Sequence, residues 1–251
     1  MKLLFENWRK SLEEDVDTSS FVIRDELHKD FWNQPEDRLD PEIGQKLLEI
    51  ARQFMEKHEV SDVKIKDITF TGSLANFNWS KFSDVDLHII IDFAEVDENF
   101  ALVKEYFNSR KSLWNLQHEI MIHDFEVEIY VQDEKEPHAS TGVYSIFRDG
   151  WVTRPAVSVD ANNIDFDNVK KKAESLMDQI DRALELYDRE RYQEALDRAE
   201  VLREKIRKFR QSGLESGGEY SIENIAFKAL RRNEYLLKLA ELKRDAYDKL
   251  M

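Results

Sequence analysis

The chain has 251 residues, a net charge of −15, no cysteine, and 41% apolar residues that include 15 Phe, 8 Tyr and 5 Trp. That apolar content suffices for one large or two modest cores, and the lack of cysteine excludes disulfides, thiol chemistry and Cys-ligated zinc. The acidity argues against coating nucleic acid by charge alone. Residues 201–251, however, hold 12 Lys/Arg and 8 Asp/Glu, so they carry +4 and the first 200 residues −19, which leaves room for a local anion site among charges that otherwise read as a solvated face.

In chain order, a short amphipathic helix is expected over 3–14. Too few apolar residues precede Glu6 for a signal-peptide core, and no later run reaches the ~18 of a membrane span, so a cytoplasmic protein without a membrane partner is expected. Asp40 followed by Pro41 signals a cap and a first helical position, opening a helix near 41–58 with Ile43, Leu47, Ile50, Ala51 and Phe54 on one stripe. Strand-like segments follow at 63–71 and 83–93, then a helix near 98–117 and a strand-like run over 118–132. This alternation predicts an α+β domain on a mixed sheet, spanning 1–160 with its N-terminal helices.

From about residue 161 to 251 the pattern is all-helical. Val169, Ala173, Leu176, Ile180, Leu184 and Tyr187 form one stripe, and Leu196, Ala199, Leu202, Ile206 and Phe209 another. Two antiparallel helices joined near Arg189 fit them. SGLESGGEY (212–220) reads as a Gly/Ser loop, and Ser221 with Asn224 opens a last helix running through Leu250.

The stretch TGSLANFNWSKFSDVDLHIIID (71–92) carries the chemistry. On a strand from Ser83 to Ile91, the period of two puts Asp84, Asp86 and His88 on one face and Val85, Leu87 and Ile89 on the other. Two neighbouring carboxylates repel each other and call for a positive charge between them. A strand ending in Thr71-Gly72-Ser73, then a short helical turn and Asp-x-Asp on the next strand, is what a nucleoside triphosphate and its magnesium ions require. Gly72 lets the backbone approach phosphate oxygens, the following amides and the Ser73 hydroxyl donate to the anion, and Asp84 and Asp86 offer hard oxygen ligands. A third carboxylate must come from a neighbouring strand.

Gly72-Ser73, ten residues, then Ser83-Asp84-Val85-Asp86-Leu87 resembles the signature of the DNA polymerase β-like nucleotidyltransferase superfamily. The resemblance covers about 70–132 firmly and the C-terminal helices more loosely; in that family such helices often form a nucleotide-gripping lid. The strings LHKDFW, GSLANFNWSKFSDVDLHI and GVYSIFRDGWVTRP are also similar to uncharacterised nucleotidyltransferases of tailed bacteriophages, which implies residence in a host cytoplasm. The family's third acid sits in a hydrophobic-acid-hydrophobic context. FEVEIYV offers Glu128, flanked by Val127 and Ile129, as the preferred third ligand, with Glu126 on the same face as the alternative.

The resemblance thus implies Mg²⁺ or Mn²⁺ as cofactor, a nucleoside triphosphate such as ATP as donor, and an acceptor hydroxyl on a small molecule, a nucleotide, an RNA end or a protein. Many minimal relatives carry Arg and Gly where this chain has Asn76 and Phe77, so other cations must hold the phosphates. Lys81, Arg148, Arg154, Lys228, Arg231 and Arg232 are the candidates, with Lys228, Arg231, Arg232 and Tyr235 on one helical face by their spacing; for each singly, a surface salt bridge is the plainer role. His88 is placed to touch substrate or to stay neutral beneath the acids, with a purely structural role equally open. Trp32, Trp79, Trp114 and Trp151 read as core or lid packing, with Trp79 in the motif loop the best exception for base stacking. No His-x-x-x-His pair, P-loop or nucleophile elbow occurs, which leaves zinc hydrolases and Ser hydrolases without their residues. Two functions remain: a metal-dependent nucleotidyltransferase, and a nucleotide- or partner-binding module that has lost turnover.

Overall fold

A computed structural model describes residues 21–58, 60, 63–138, 140–156 and 164–251; the helix expected over 3–14 lies outside them. The chain forms two compact units, Val22–Ser158 and Val159–Met251, with Phe21 belonging to the second.

The first unit is α+β. Its elements are β1 (Trp32–Asn33), β2 (Arg38–Leu39), α1 (Pro41–Lys57), β3 (Ile65–Thr71), β4 (Val85–Ile91), α2 (Phe100–Gln117), β5 (Met121–Ile122), β6 (Phe125–Asp133), β7 (Val143–Ser145) and β8 (Gly150–Thr153). Asp40 caps α1 as its sequence predicts, its carboxylate accepting from the amides of Glu42 and Ile43. The run expected over 118–132 is two strands, because His123 and Asp124 both take positive φ and turn the chain into a hairpin. Strand order is β5-β6-β4-β3-β7-β8; β4 and β6 are parallel through the α2 crossover and the other pairs antiparallel, so the sheet is mixed. Leu87, Ile89 and Ile129 from the sheet join Leu47 and Phe54 of α1 and Phe107 of α2 in one buried core.

An aromatic stack holds the turn after β3. Trp32 lies 5.5 Å from Phe70 and 4.6 Å from Trp151, centroid to centroid, and its indole N–H donates to the Leu74 carbonyl at 2.7 Å. Gly142 closes the turn from the other side: a Cβ there would lie 2.0 Å from the Ala75 carbonyl oxygen. The buried Asn76 donates to Thr141 at 2.5 Å. These contacts pack the GVYSIFRDGWVTRP segment against the Gly-Ser turn.

The second unit is all-helical, with α3 (Phe166–Asp188), α4 (Tyr192–Gly217), α5 (Ile222–Arg232) and α6 (Tyr235–Leu250) packed around Ala173, Ile180, Ala199, Leu202, Leu230 and Leu239. The first two helices join at Arg189 to Arg191, with Glu190 at φ 60°. Two expectations are corrected here. Most of SGLESGGEY is the last turn and a half of α4 rather than a loop. Gly213 is there because α5 crosses so closely that a Cβ would meet the Glu223 Cβ at 2.5 Å, and packing overrides the poor helix propensity of glycine. The expected single last helix is two: Ser221 caps α5 as expected, accepting from the Asn224 amide, but Glu234 at φ 61° ends it before Tyr235. Tyr235 therefore does not continue the helical face of Lys228, Arg231 and Arg232. Among the described residues no helix is long and apolar enough to cross a membrane.

Between α3 and α6, the Tyr235 hydroxyl donates to Asp181 Oδ2 at 3.2 Å, while Oδ1 is buried without a partner. Burial lifts this carboxyl to about 6, against the pull of the Tyr235 hydrogen bond and Lys238. A carboxyl raised on folding contributes stability that is present below its unfolded value of about 3.9 and lost as pH rises through its folded value. Asp181→Asn is therefore expected to be more stable than the parent at pH 7 to 8, by roughly 2 kcal/mol after solvent screening. Urea unfolding at pH 4 should show the difference gone.

Candidate functional site

The alternation of β4 places Asp86 and His88 on the face opposite Val85, Leu87 and Ile89, which are fully buried. On β6, Glu126, Glu128 and Tyr130 alternate with buried Val127 and Ile129. The parallel register makes Asp86 the direct partner of Glu128 and His88 the partner of Tyr130. Glu128, the preferred third acid, thus stands level with Asp86. Glu126 stands two residues nearer the mouth, paired with Met121 of β5. Asp84 immediately precedes β4, at the same end.

Gly72 meets this pair from β3. Thr71 is the register partner of Asp86, and Gly72 follows at φ 78° and ψ −161°, a conformation that L side chains avoid. Its α-carbon lies so close to the acid that a Cβ would stand 1.7 Å from Asp86 Oδ2. The chain then makes a single 3-10 turn, Ser73 to Ala75. The Ser73 hydroxyl donates to Ser83 Oγ at 2.7 Å, and Ser83 Oγ also accepts from the Ser80 amide at 2.9 Å. The serine of the S-D-V-D string therefore ties the Gly-Ser turn to the strand bearing the aspartates, a role that spacing alone does not reveal.

Beneath the acids lies a polar stack of which sequence reasoning offers only His88. The Tyr130 hydroxyl donates to Glu128 Oε2 at 2.6 Å. Its ring stacks on His88 with centroids 5.0 Å apart, and the Lys111 ammonium lies 3.5 Å from its centroid. His88 Nδ1 is 2.9 Å from Gln132 Oε1. Burial pulls His88 down to about 4 despite that hydrogen bond, so the imidazole is neutral near pH 7. Burial also lowers the Lys111 ammonium, opposed by its attraction to Glu128 and then Asp86. The Tyr130 hydroxyl is raised, first by burial and then by its bond to Glu128, and stays protonated. Glu126 is raised by burial, with Glu128 and Glu119 adding repulsion. Period two on β6 points to Tyr130. The signal for Lys111 is a basic residue in the stripe of buried Val103, Phe107 and Trp114.

The candidate phosphate cations have these surroundings. Lys81 is exposed, with its ammonium 4.9 Å from the Phe82 ring centroid. Arg148 lies 3.9 Å from Asp67, which pairs with Ile90 at the far end of β4, and Arg154 binds Asp37 at 2.5 Å. Lys228, Arg231 and Arg232 belong to the helical unit, where the Arg232 guanidinium sits 3.8 Å from the Phe21 ring centroid. Trp79 donates its indole N–H to the Glu26 carbonyl at 2.9 Å and has the Arg24 guanidinium 4.6 Å from its centroid, so it packs the segment before β1.

Three carboxylates with hard oxygens at one end of β4 and β6 suit a magnesium or manganese ion. A cradle that only glycine permits beside Asp86 fits a bound group there as well. Among the described residues, no three His, Asp or Glu side chains are gathered closely enough to hold a metal as they stand. In this arrangement one Glu128 oxygen, Oε2, is engaged by the Tyr130 hydroxyl. Comparison with protein-family models, with curated proteins and with solved structures found no match to this chain.

Proposed function

We propose that the chain is a divalent-metal-dependent nucleotidyltransferase that moves a nucleoside monophosphate from a nucleoside triphosphate to an acceptor hydroxyl, on a fold of the DNA polymerase β-like kind. The single observation that carries this reading is the register that sets Asp86 level with Glu128 while Gly72 presses its α-carbon against Asp86. Asp84, Asp86 and Glu128 would hold Mg²⁺ or Mn²⁺. Bound there, the ion would polarise the phosphate, activate the acceptor hydroxyl and neutralise the leaving pyrophosphate.

The chain's own groups set up that reaction. Gly72 opens the backbone at the point where a phosphate must approach, and Ser73, on breaking its bond to Ser83, gains a hydroxyl to donate to it. Tyr130 orients Glu128 through the bond from its hydroxyl to Oε2. Lys81, on the loop leading to the aspartates, is the candidate cation within the same unit for the phosphate tail. Carboxylates kept together at a partly buried site without a metal are costly, which favours turnover over a decayed binding module.

Incubating the protein with each α-labelled nucleoside triphosphate and Mg²⁺ or Mn²⁺, alone and then with lysate fractions, tests the reading. Labelled product that appears without lysate identifies nucleotide oligomers or self-modification; product that needs a fraction identifies an external acceptor. A second pair of variants tests the register. Glu128→Gln should lower turnover by orders of magnitude with little change in triphosphate affinity, whereas Glu126→Gln, displaced along the strand by roughly 7 Å, should be much milder. The reverse ranking would place the third ligand at Glu126.

A further inference from the structure

The acidic face needs a positive charge before any metal arrives. Asp86 and Glu128 are cross-strand partners, and like charges directly opposite one another destabilise a sheet. Helix α2 brings a cation to them. The Lys111 ammonium lies 3.5 Å from the centroid of the Tyr130 ring, and the hydroxyl of that same ring donates to Glu128 Oε2 at 2.6 Å. Tyr130 thus presents its face to the cation and its hydroxyl to the carboxylate, and ties the two into one unit. Lys111 is half-buried, a position where an ammonium is unfavourable without compensating charge. Its attractions are to Glu128 and Asp86.

We propose that Lys111 is the built-in cation of the site: it offsets part of the charge of Asp86 and Glu128 in the metal-free protein and opposes a divalent ion by like-charge repulsion, so that it tunes the metal affinity. The proposal rests on the reading of Asp84, Asp86 and Glu128 as metal ligands and adds what tunes them. It accounts for how Asp86 and Glu128 sit level on neighbouring strands without metal. A metal ion would release Glu128 from the Lys111–Tyr130 unit.

Mn²⁺ binding to the full chain, followed by electron paramagnetic resonance without nucleotide, separates the possibilities. With screening close to that of bulk water, loss of one positive charge near a divalent ion changes its binding constant by about tenfold. Lys111→Met should therefore bind Mn²⁺ about tenfold more tightly than the parent, and Lys111→Arg, which keeps the charge, should match the parent. In EDTA, Lys111→Met should melt below the parent and gain more on adding Mn²⁺; Lys111→Gln serves the same purpose should the Met variant not fold. Unchanged affinity in both neutral variants, with binding still abolished by Asp86→Asn, would overturn the proposal while leaving the metal site standing. Absence of any Asp86-dependent Mn²⁺ binding in all variants would remove the metal site and the proposal together.

Discussion

Asp86→Ala is expected to abolish divalent-metal-dependent nucleotide transfer while leaving the fold intact or slightly more stable. The two halves of this expectation have separate causes. Asp86 is the point at which three strands converge on the site: Thr71 pairs with it from β3, Glu128 pairs with it from β6, and Gly72 leans on its carboxylate. Truncation leaves the remaining acids unable to hold an ion, and the loss in turnover should span orders of magnitude. In the metal-free protein the same truncation relieves repulsion with Glu128 and, along the chain, Asp84. Asp84→Ala should behave alike. Turnover assays beside urea unfolding of the same preparations check both halves. Variants that unfold while keeping the parent's metal affinity would show that the acids are structural.

Gly72→Ala should be the most damaging single substitution outside the acids. Its backbone lies in a region that costs a non-glycine residue on the order of 1–3 kcal/mol. The added methyl would also stand 1.7 Å from Asp86 Oδ2, so the carboxylate must leave its place. Stability and metal-dependent transfer should fall together, unlike in Asp86→Ala. A double-mutant cycle separates the contributions. In the Asp86→Ala background most of the steric part of the Gly72→Ala penalty should vanish, leaving a tight 3.2 Å approach to the Cβ of residue 86, and the backbone part should remain. An undiminished penalty would show that the strain is entirely local to residue 72.

Much of this site is legible in the amino-acid sequence. The Asp-x-Asp alternation, the Asp40 cap and the change to helical periodicity near residue 160 are local signals that tertiary packing has no reason to override. Register is not legible there. Whether Glu126 or Glu128 faces Asp86 depends on how far the α2 crossover carries the chain before β6 begins, and the His123–Asp124 turn that sets that start follows two residues of β5 hidden within an apolar run. The Gly213 segment misleads for the opposite reason: its local propensity is that of a loop, and only the close approach of α5 makes it helix. The break at Glu234 is invisible because the apolar periodicity on either side stays helical. Lys111 and Tyr130 are open to view as residues. What a linear chain lacks is the partner each meets across the sheet.

The central claim is that Asp84, Asp86 and Glu128 together hold a divalent ion with a nucleoside triphosphate. The most direct measurement is anomalous scattering from Mn²⁺ in crystals grown with a non-hydrolysable triphosphate analogue. The expected result is manganese bonded to oxygens of Asp84, Asp86 and the triphosphate, with Glu128 released from Tyr130 and turned toward the metal and the Gly72–Ser73 backbone against the phosphates. Manganese bound elsewhere with the three carboxylates unchanged, or analogue bound without contact to Gly72 and the aspartates, would contradict it.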